Sequence, residues 1–103
     1  MKPVHITPKA DSDIDSAAAW IRKESPAAAL RFIDAVELTC NTVSRTPGIG
    51  SRRYADITLV LGVRMIKVKG FEKYLLFYLE HEDSIDIIRL LHSARDIPEA
   101  LQS

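Results

Sequence analysis

The fold of this chain is decided by the stretch from Gly62 to Asp96, which reads GVRMIKVKGFEKYLLFYLEHEDSIDIIRLLHSARD. Within it, three apolar runs rich in β-branched and aromatic residues are separated by short connectors; they are Val63–Lys69, Tyr74–Glu80 and Ile85–His92. Runs of this kind with turn-forming residues between them indicate a meander of strands. The stretch therefore predicts three consecutive antiparallel strands, and the rest of the chain must pack on them or lead into them.

The connectors predict how these strands pair. Gly70 can supply the positive φ of a tight hairpin turn. If Gly70-Phe71 is a two-residue loop, Arg64 lies opposite Phe77, and Phe77 lies opposite Ile88. Side chains alternate along a strand, so one face is predicted to carry Arg64, Ile66, Val68, Leu75, Phe77, Leu79, Ile88, Leu90 and His92, and the other Val63, Met65, Lys67, Tyr74, Leu76, Tyr78, Ile85, Ile87, Arg89 and Leu91. Both sets are mostly apolar, so both faces should be covered.

Two helices are predicted ahead of the meander, after a short edge strand at Lys2–Ile6. Thr7-Pro8 and Ser25-Pro26 each place an N-capping hydroxyl before a proline at the first helical position. The first helix should run to about Lys23 and the second should end before Pro47-Gly48. The inner stripe of the second helix is predicted to be Ala29, Ile33, Val36, Cys40 and Val43, widened by Leu30 and Phe32, and Trp20 and Cys40 are expected in or beside the core.

The order of elements is β-α-α-β-β-β with a short C-terminal helix that begins near Ile97. It predicts a single α+β domain over residues 1–103, in which an antiparallel sheet packs on an αα-hairpin in two layers. Such a hairpin covers only one sheet face. The other must meet the loop from Pro47 to Leu61, the C-terminal helix, a second copy or a different protein. A large uncovered apolar face usually marks a binding surface, which argues for an obligate partner.

Composition excludes several classes of protein. The single cysteine, Cys40, cannot form an internal disulfide, and no Cys/His spacing is typical of zinc sites, so we expect neither metal nor cofactor. No apolar run has the length of a membrane span or a signal peptide, which predicts a cytoplasmic protein with no membrane association. The 14 basic and 14 acidic residues cancel.

The charges are nevertheless unevenly distributed along the chain. The segment from Ser44 to Lys73 contains seven basic residues but only two acidic ones, Asp56 and Glu72. The basic residues are Arg45, Arg52, Arg53, Arg64, Lys67, Lys69 and Lys73. This stretch is either a basic patch for an acidic partner or a nucleic acid, or a solvated loop and strand edge, since basic residues also protect edge strands.

The chain closely resembles the ParE toxins of bacterial type II toxin–antitoxin systems, within the RelE/ParE superfamily. The resemblance is carried by an ordered set of segments: ADSDI at 10–14, SPAAALRF at 25–32, PGIG at 47–50, GVR at 62–64, VKGFEKYLLFY at 68–78 and LLHSARD at 90–96. It implies a toxin held inactive by a cognate ParD-like antitoxin, which alone contacts operator DNA. It also implies DNA gyrase as the target, whereas relatives in the RelE branch are ribosome-dependent messenger-RNA interferases.

Leu75 favours gyrase inhibition over ribonuclease activity. In RelE-like nucleases the central strand typically reads Tyr-Arg-x-x-Tyr, and its arginine faces the RNA. The matching stretch here is Tyr74–Tyr78, with Leu75 at the position of that cation. Leucine cannot stabilise charge on phosphorus. We therefore expect a protein-binding inhibitor without catalytic residues, with the nuclease as the alternative and a detoxified remnant that only forms the antitoxin complex as a third reading.

The candidate partner-binding residues are Arg52, Arg53, Arg64, Lys67, Leu75, Phe77, Arg89, His92 and Arg95. Arg64 and Arg89 interrupt apolar strands, so each is either ion-paired or lines a groove. Arg95 either matches a basic position of the nucleases or pairs locally. His92 is predicted to lie about 13 Å from the row of Arg64, at about 3.3 Å per strand residue, too far for a shared acid–base pair.

Overall fold

The computed structural model describes all 103 residues. The chain forms a four-stranded sheet with two long helices packed on one face. The elements are β1 (Val4–Ile6), α1 (Pro8–Arg22), α2 (Pro26–Arg45), β2 (Arg64–Val68), β3 (Phe71–Glu80), β4 (Ile85–His92) and α3 (Ile97–Leu101). The sheet order is β1-β4-β3-β2. The predicted α+β fold is confirmed. The meander β2-β3-β4 is antiparallel, and β1 adds to β4 in parallel.

The helix starts lie where the capping signals place them. The Thr7 hydroxyl accepts the Ala10 N–H at 3.3 Å, and the Ser25 hydroxyl accepts the Ala28 N–H at 3.1 Å. These bonds satisfy N–H groups that have no partner within the helix. A third cap was not anticipated from the sequence: the Asp96 carboxylate accepts the Glu99 N–H at 3.2 Å and starts α3.

The predicted buried stripe of α2 is partly wrong. Phe32 is fully buried and replaces Ile33 as the central residue of the stripe, while Leu30 and Ile33 are exposed. Trp20 is also wrong as a core residue, because 67% of its surface is accessible. The other predicted residues of the stripe, Ala29, Val36, Cys40 and Val43, are buried as expected. Thr39 is buried as well, and its hydroxyl donates to the Ala35 carbonyl. Four large apolar side chains therefore remain on the outside of the helical layer; they are Trp20, Leu30, Ile33 and Leu38.

The predicted pairing of the strands is wrong where the strands are irregular. The hairpin turn is Lys69-Gly70, with Gly70 at φ +82°, and a bulge between Lys67 and Val68 precedes it. Arg64 consequently lies opposite Tyr78. Between β3 and β4 the predicted pairing holds from Tyr78 onward, but an irregularity places Phe77 opposite Arg89.

These shifts change the composition of the two sheet faces. The helical face carries, among others, Ile66, Val68, Leu76, Tyr78, Ile87 and Leu90. The opposite face carries Val63, Met65, Leu75, Phe77, Ile88 and Leu91. A strand that slips by one residue turns every side chain to the other face. This accounts for the exchange of Ile66 with Met65 and of Leu90 with Leu91.

The second sheet face is covered by the chain itself. Residues 50–62, which we call the covering segment, contribute Tyr54, Ile57 and Val60 to a second core, and α3 contributes Ile97, Ala100 and Leu101. Of the four possible covers, the loop and the C-terminal helix are therefore the ones used. The expectation that one sheet face is left bare is therefore wrong, and this face gives no argument for a partner.

Buried polar contacts hold the start of the covering segment against the sheet. The Tyr78 hydroxyl donates to the Pro47 carbonyl at 2.6 Å and accepts the Gly50 N–H at 2.9 Å. The Arg64 guanidinium donates to the carbonyls of Gly48 and Gly50. A Cβ at Gly50 would lie 2.6 Å from the Tyr78 hydroxyl, so only glycine fits there. Burial raises the pKa of Tyr78, so this hydroxyl stays protonated.

Candidate protein-binding surfaces

A groove lies between α1, α2 and the free edge of β1, and we call it the helix groove. It has a volume of about 450 Å³ and is lined by Val4, Ile6, Asp11, Ile14, Asp15, Ile33, Val36, Glu37, Cys40 and Asn41. The apolar side chains come from all three elements. The charged side chains are all acidic. The groove therefore combines apolar contact area with a negative rim.

Two further features define the chemistry of the helix groove. Strand β1 pairs with β4 on one side only, and Pro3 and Thr7 make the flanking backbone bonds to β4. The backbone groups of Val4 and Ile6 consequently point away from the sheet, as an edge to which another strand can add. On the groove lining, burial raises the pKa of the Cys40 thiol to about 11, and the Glu37 carboxylate adds to that rise. The thiol is therefore neutral and behaves as a small apolar group.

Three of the predicted partner-binding residues lie inside the protein. Leu75 and Phe77 are buried in the second core, with the Tyr54 ring 5.9 Å from that of Phe77. Arg89 is 8% exposed. None of the three is presented to a partner by this structure, so we do not retain them as candidates. Residues so deeply packed contribute to stability rather than to recognition.

Arg89 has a structural partner. Its guanidinium donates to both carboxylate oxygens of Asp13, at 2.6 and 3.0 Å, and to the Ala100 carbonyl at 2.9 Å. The same carboxylate accepts the Leu90 N–H at 3.0 Å. Of the two alternatives for Arg89, the ion pair is the correct one. It joins α1, β4 and α3 at the part of β4 that β1 does not reach.

The remaining predicted residues do not form one site. Arg52 and Arg53 are exposed on the covering segment, Lys67 is exposed on β2, and Arg95 is exposed after β4. Arg64 is half-buried and engaged by backbone carbonyls. Of the predicted basic cluster, Arg52 and Arg53 therefore remain as adjacent, exposed cations.

His92 lies beside Tyr74, with the ring centroids 5.1 Å apart. Its Nδ1 accepts the Ala94 N–H at 3.0 Å, so Nε2 is the nitrogen left for other contacts. Burial raises the pKa of Tyr74. Both residues line a shallow depression with Lys73. His92 lies opposite Tyr74 and Arg64 opposite Tyr78, four residues apart on β3, which is consistent with the expected separation of His92 from Arg64.

Several surface residues were missed by sequence reasoning. In the helix groove these are Asp11, Asp15 and Glu37. Their signal was a spacing of four residues, which places Asp11 and Asp15 on one face of α1, and Ile33, Glu37 and Asn41 on one face of α2. On the covering segment, Leu59 and Leu61 are exposed on either side of the inward-facing Val60. No helix of the protein is both long and apolar enough to cross a membrane.

The chain is similar to known proteins both in sequence and in structure. A family model described as the ParE toxin of the type II toxin–antitoxin system parDE matches residues 4–97. The curated protein Toxin RelE3 of Caulobacter vibrioides is 28% identical over 94 residues, which is 90% of this chain and 96% of that protein. A chain of the solved chromosomal ParDE TA system from P. aeruginosa superposes with a TM-score of 0.72 at 17% identity, covering 89% of this chain and 96% of that one. At that identity the structural likeness shows the fold.

Proposed function

The chain belongs to the ParE toxin family of type II toxin–antitoxin systems, and from that membership we propose that it inhibits DNA gyrase by binding and is neutralised by a cognate ParD-like antitoxin. In this proposal it has no catalytic residues, and operator DNA is contacted only through the antitoxin. The observation that carries the choice of mechanism is the environment of Leu75.

Leu75 occupies the position at which the related nucleases carry an arginine that faces the RNA. Here it is 6% exposed and belongs to the same core cluster as Ile97 and Leu101 of α3. A nuclease needs a cation at the phosphate and an open surface that admits RNA. Leucine supplies no charge, and the covering segment and α3 occupy the face on which RNA would have to bind. Both facts favour inhibition by protein binding.

We place the antitoxin in the helix groove. An antitoxin segment with apolar side chains and flanking lysines or arginines would bury the apolar lining and pair with Asp11, Asp15 and Glu37. The free edge of β1 offers backbone groups for strand addition, which is a common mode of peptide recognition. Because the second sheet face is already covered, the helical side is the one that presents both an apolar groove and an open strand edge.

Changing the groove should weaken antitoxin binding selectively. The double substitution Ile33→Ser/Glu37→Lys removes apolar contact area and inverts one rim charge, so we expect the Kd for the antitoxin to rise about tenfold or more. Leu38→Ser is the matched control, because Leu38 is exposed on the same helix and does not line the groove; its Kd should stay within about threefold. Isothermal titration with purified antitoxin measures both. If both variants lose antitoxin affinity to the same extent, the helix groove is not the antitoxin-binding site.

A paired assay tests the cellular target. Purified toxin is added to gyrase during supercoiling of plasmid DNA, and separately to translating ribosomes that carry messenger RNA. We expect supercoiling to be inhibited, inhibition to be relieved by antitoxin, and messenger RNA to stay intact. If messenger RNA is cleaved and supercoiling is normal, gyrase inhibition is rejected and the toxin is a ribonuclease.

The ribonuclease is the second candidate, and one cluster favours it. Lys73, Tyr74 and His92 line one depression, and such side chains can supply a cation and proton-transfer groups. The relative named Toxin RelE3 is similar over nearly the whole chain. If this candidate is correct, His92→Ala should abolish cleavage of ribosome-bound message. If gyrase is the target, the same substitution should leave messenger RNA intact, as the unsubstituted toxin does.

A further inference from the structure

We propose that the covering segment presents the surface that binds the protein target of this toxin, and that the target offers an apolar pocket rimmed by carboxylates. The surface consists of Arg52, Arg53, Leu59 and Leu61, and we call it the loop surface. The proposal rests on the proposed function, in that it assumes a protein target. It adds the residues that make the contact and the chemistry that they select.

The two leucines are exposed although backbone hydrogen bonds and a packed neighbour hold their segment in place. Leu59 and Leu61 are 67% and 65% accessible, while Val60 between them packs into the second core. The Gly62 N–H donates to the Ala55 carbonyl at 2.8 Å, and the Val63 N–H donates to the Val60 carbonyl at 2.9 Å. These bonds close the loop on itself and hold the leucines outward. A partner would therefore lose little conformational entropy in ordering them.

The arginines of the loop surface are free of ion pairs. The ion pairs of the protein are Lys2–Glu80, His81–Asp86 and Arg89–Asp13. The Arg53 guanidinium lies over the Tyr54 ring at 5.4 Å, so its charge stays available while its position is restricted. The Ala55 N–H donates to the Arg52 carbonyl at 3.0 Å, which brings the arginines beside the base of the closed loop. Asp56 is the one acidic residue of the segment.

Charge separates this surface from the helix groove. The groove carries three acidic side chains and no basic one, whereas the loop surface carries two unpaired arginines. The groove lies on the helical side of the sheet and the covering segment lies on the other. A basic, apolar segment that fits the groove would be repelled by Arg52 and Arg53, and an acidic partner that fits the arginines would be repelled by the groove. The chain thus offers two surfaces for two partners of opposite charge.

The test separates the two surfaces by substitution. Leu59→Ser/Leu61→Ser and Arg52→Ser/Arg53→Ser are compared with Leu38→Ser, an equally exposed leucine on α2. We expect each loop variant to require at least about tenfold more toxin for half-inhibition of supercoiling by gyrase and to lose growth arrest on induction. Antitoxin affinity should change less than about threefold, which also shows that the variants are folded. Leu38→Ser should behave as the unsubstituted toxin in all three assays.

The salt dependence of association tests whether the target is recognised by its charge. Association of the unsubstituted toxin with gyrase should slow as salt rises, because steering is screened beyond about 8–10 Å, and the arginine variant should lose most of this dependence. Growth arrest that persists in both loop variants would overturn the proposal, as would an equal loss of antitoxin affinity. If the unsubstituted toxin arrests growth without inhibiting supercoiling, gyrase is rejected as the target. Growth arrest by the loop variants then still decides whether the surface is used.

Discussion

Removing the Asp13 carboxylate is expected to destabilise the protein by about 3–5 kcal/mol, the cost of leaving a buried charge without its partner. In Asp13→Ala the Arg89 guanidinium keeps the Ala100 carbonyl as a hydrogen-bond acceptor but has no counter-charge. The Leu90 N–H also loses its acceptor. Urea denaturation of the purified toxin, followed by far-UV circular dichroism, measures the change in the free energy of unfolding.

Two controls identify the unpaired charge as the cause. Asp86 pairs with His81 at 3.0 Å, but both side chains are far more exposed than Asp13 and Arg89. Asp86→Ala should therefore cost no more than about 1 kcal/mol. Asp13→Leu/Arg89→Met removes both charges and should recover much of the stability that the single substitution loses. A double variant as unstable as Asp13→Ala would show that the Leu90 hydrogen bond, rather than the charge, dominates.

Local signals predicted the helical layer well because they act within a few residues. Thr7 and Ser25 each have a proline next in sequence and an N–H three residues on, and both cap as expected. The stripe of α2 was predicted only in part because Phe32 and Ile33 are both large and apolar, and periodicity alone does not tell which of two adjacent residues faces the sheet. The core selects Phe32, since its ring packs against Phe71 and Tyr74 across the interface.

The irregularities of the strands could not be read from the sequence. A bulge depends on how two strands twist and close against their neighbours, and neither the residues at Lys67-Val68 nor those near Phe77 carry a turn signal. For a related reason, the sequence did not determine which segment covers the second sheet face. Tyr54, Ile57 and Val60 reach the sheet because Tyr78 and Gly50 bring the chain back to it, and that contact spans 28 residues.

The candidate surfaces were predicted only in part for the same reason. Arg52 and Arg53 were selected from charge alone, and the structure leaves them exposed. Leu75 and Phe77 were predicted on a sheet face that the covering segment and α3 in fact bury, and Arg89 was predicted from its charge within an apolar strand, where the structure pairs it with Asp13. The groove acids were not selected, since the proximity of α1, α2 and β1 is a tertiary property. The face on which a strand residue lies depends on the register of the strands, so sequence alone is a poor guide to which strand residues form a binding site.

Restoring the nuclease-type cation with Leu75→Arg is expected to destabilise the protein by about 4 kcal/mol or more. The new guanidinium would lie among Val63, Leu91 and Leu101 of the second core. It would also lie across from Lys67, a like charge on the neighbouring strand. Urea denaturation of the toxin measures the loss, and Leu75→Met, which conserves volume, should cost less than about 1.5 kcal/mol.

The same variant tests the choice between the two mechanisms. An arginine that cannot reach the surface cannot stabilise phosphate charge, so Leu75→Arg should not cleave ribosome-bound messenger RNA. A variant as stable as the unsubstituted protein would mean that α3 or the covering segment moves aside and opens the second face. If that stable variant also cleaved message, Leu75 would be the residue that separates this toxin from the nucleases, and the face beneath α3 would be a closed RNA site rather than a core.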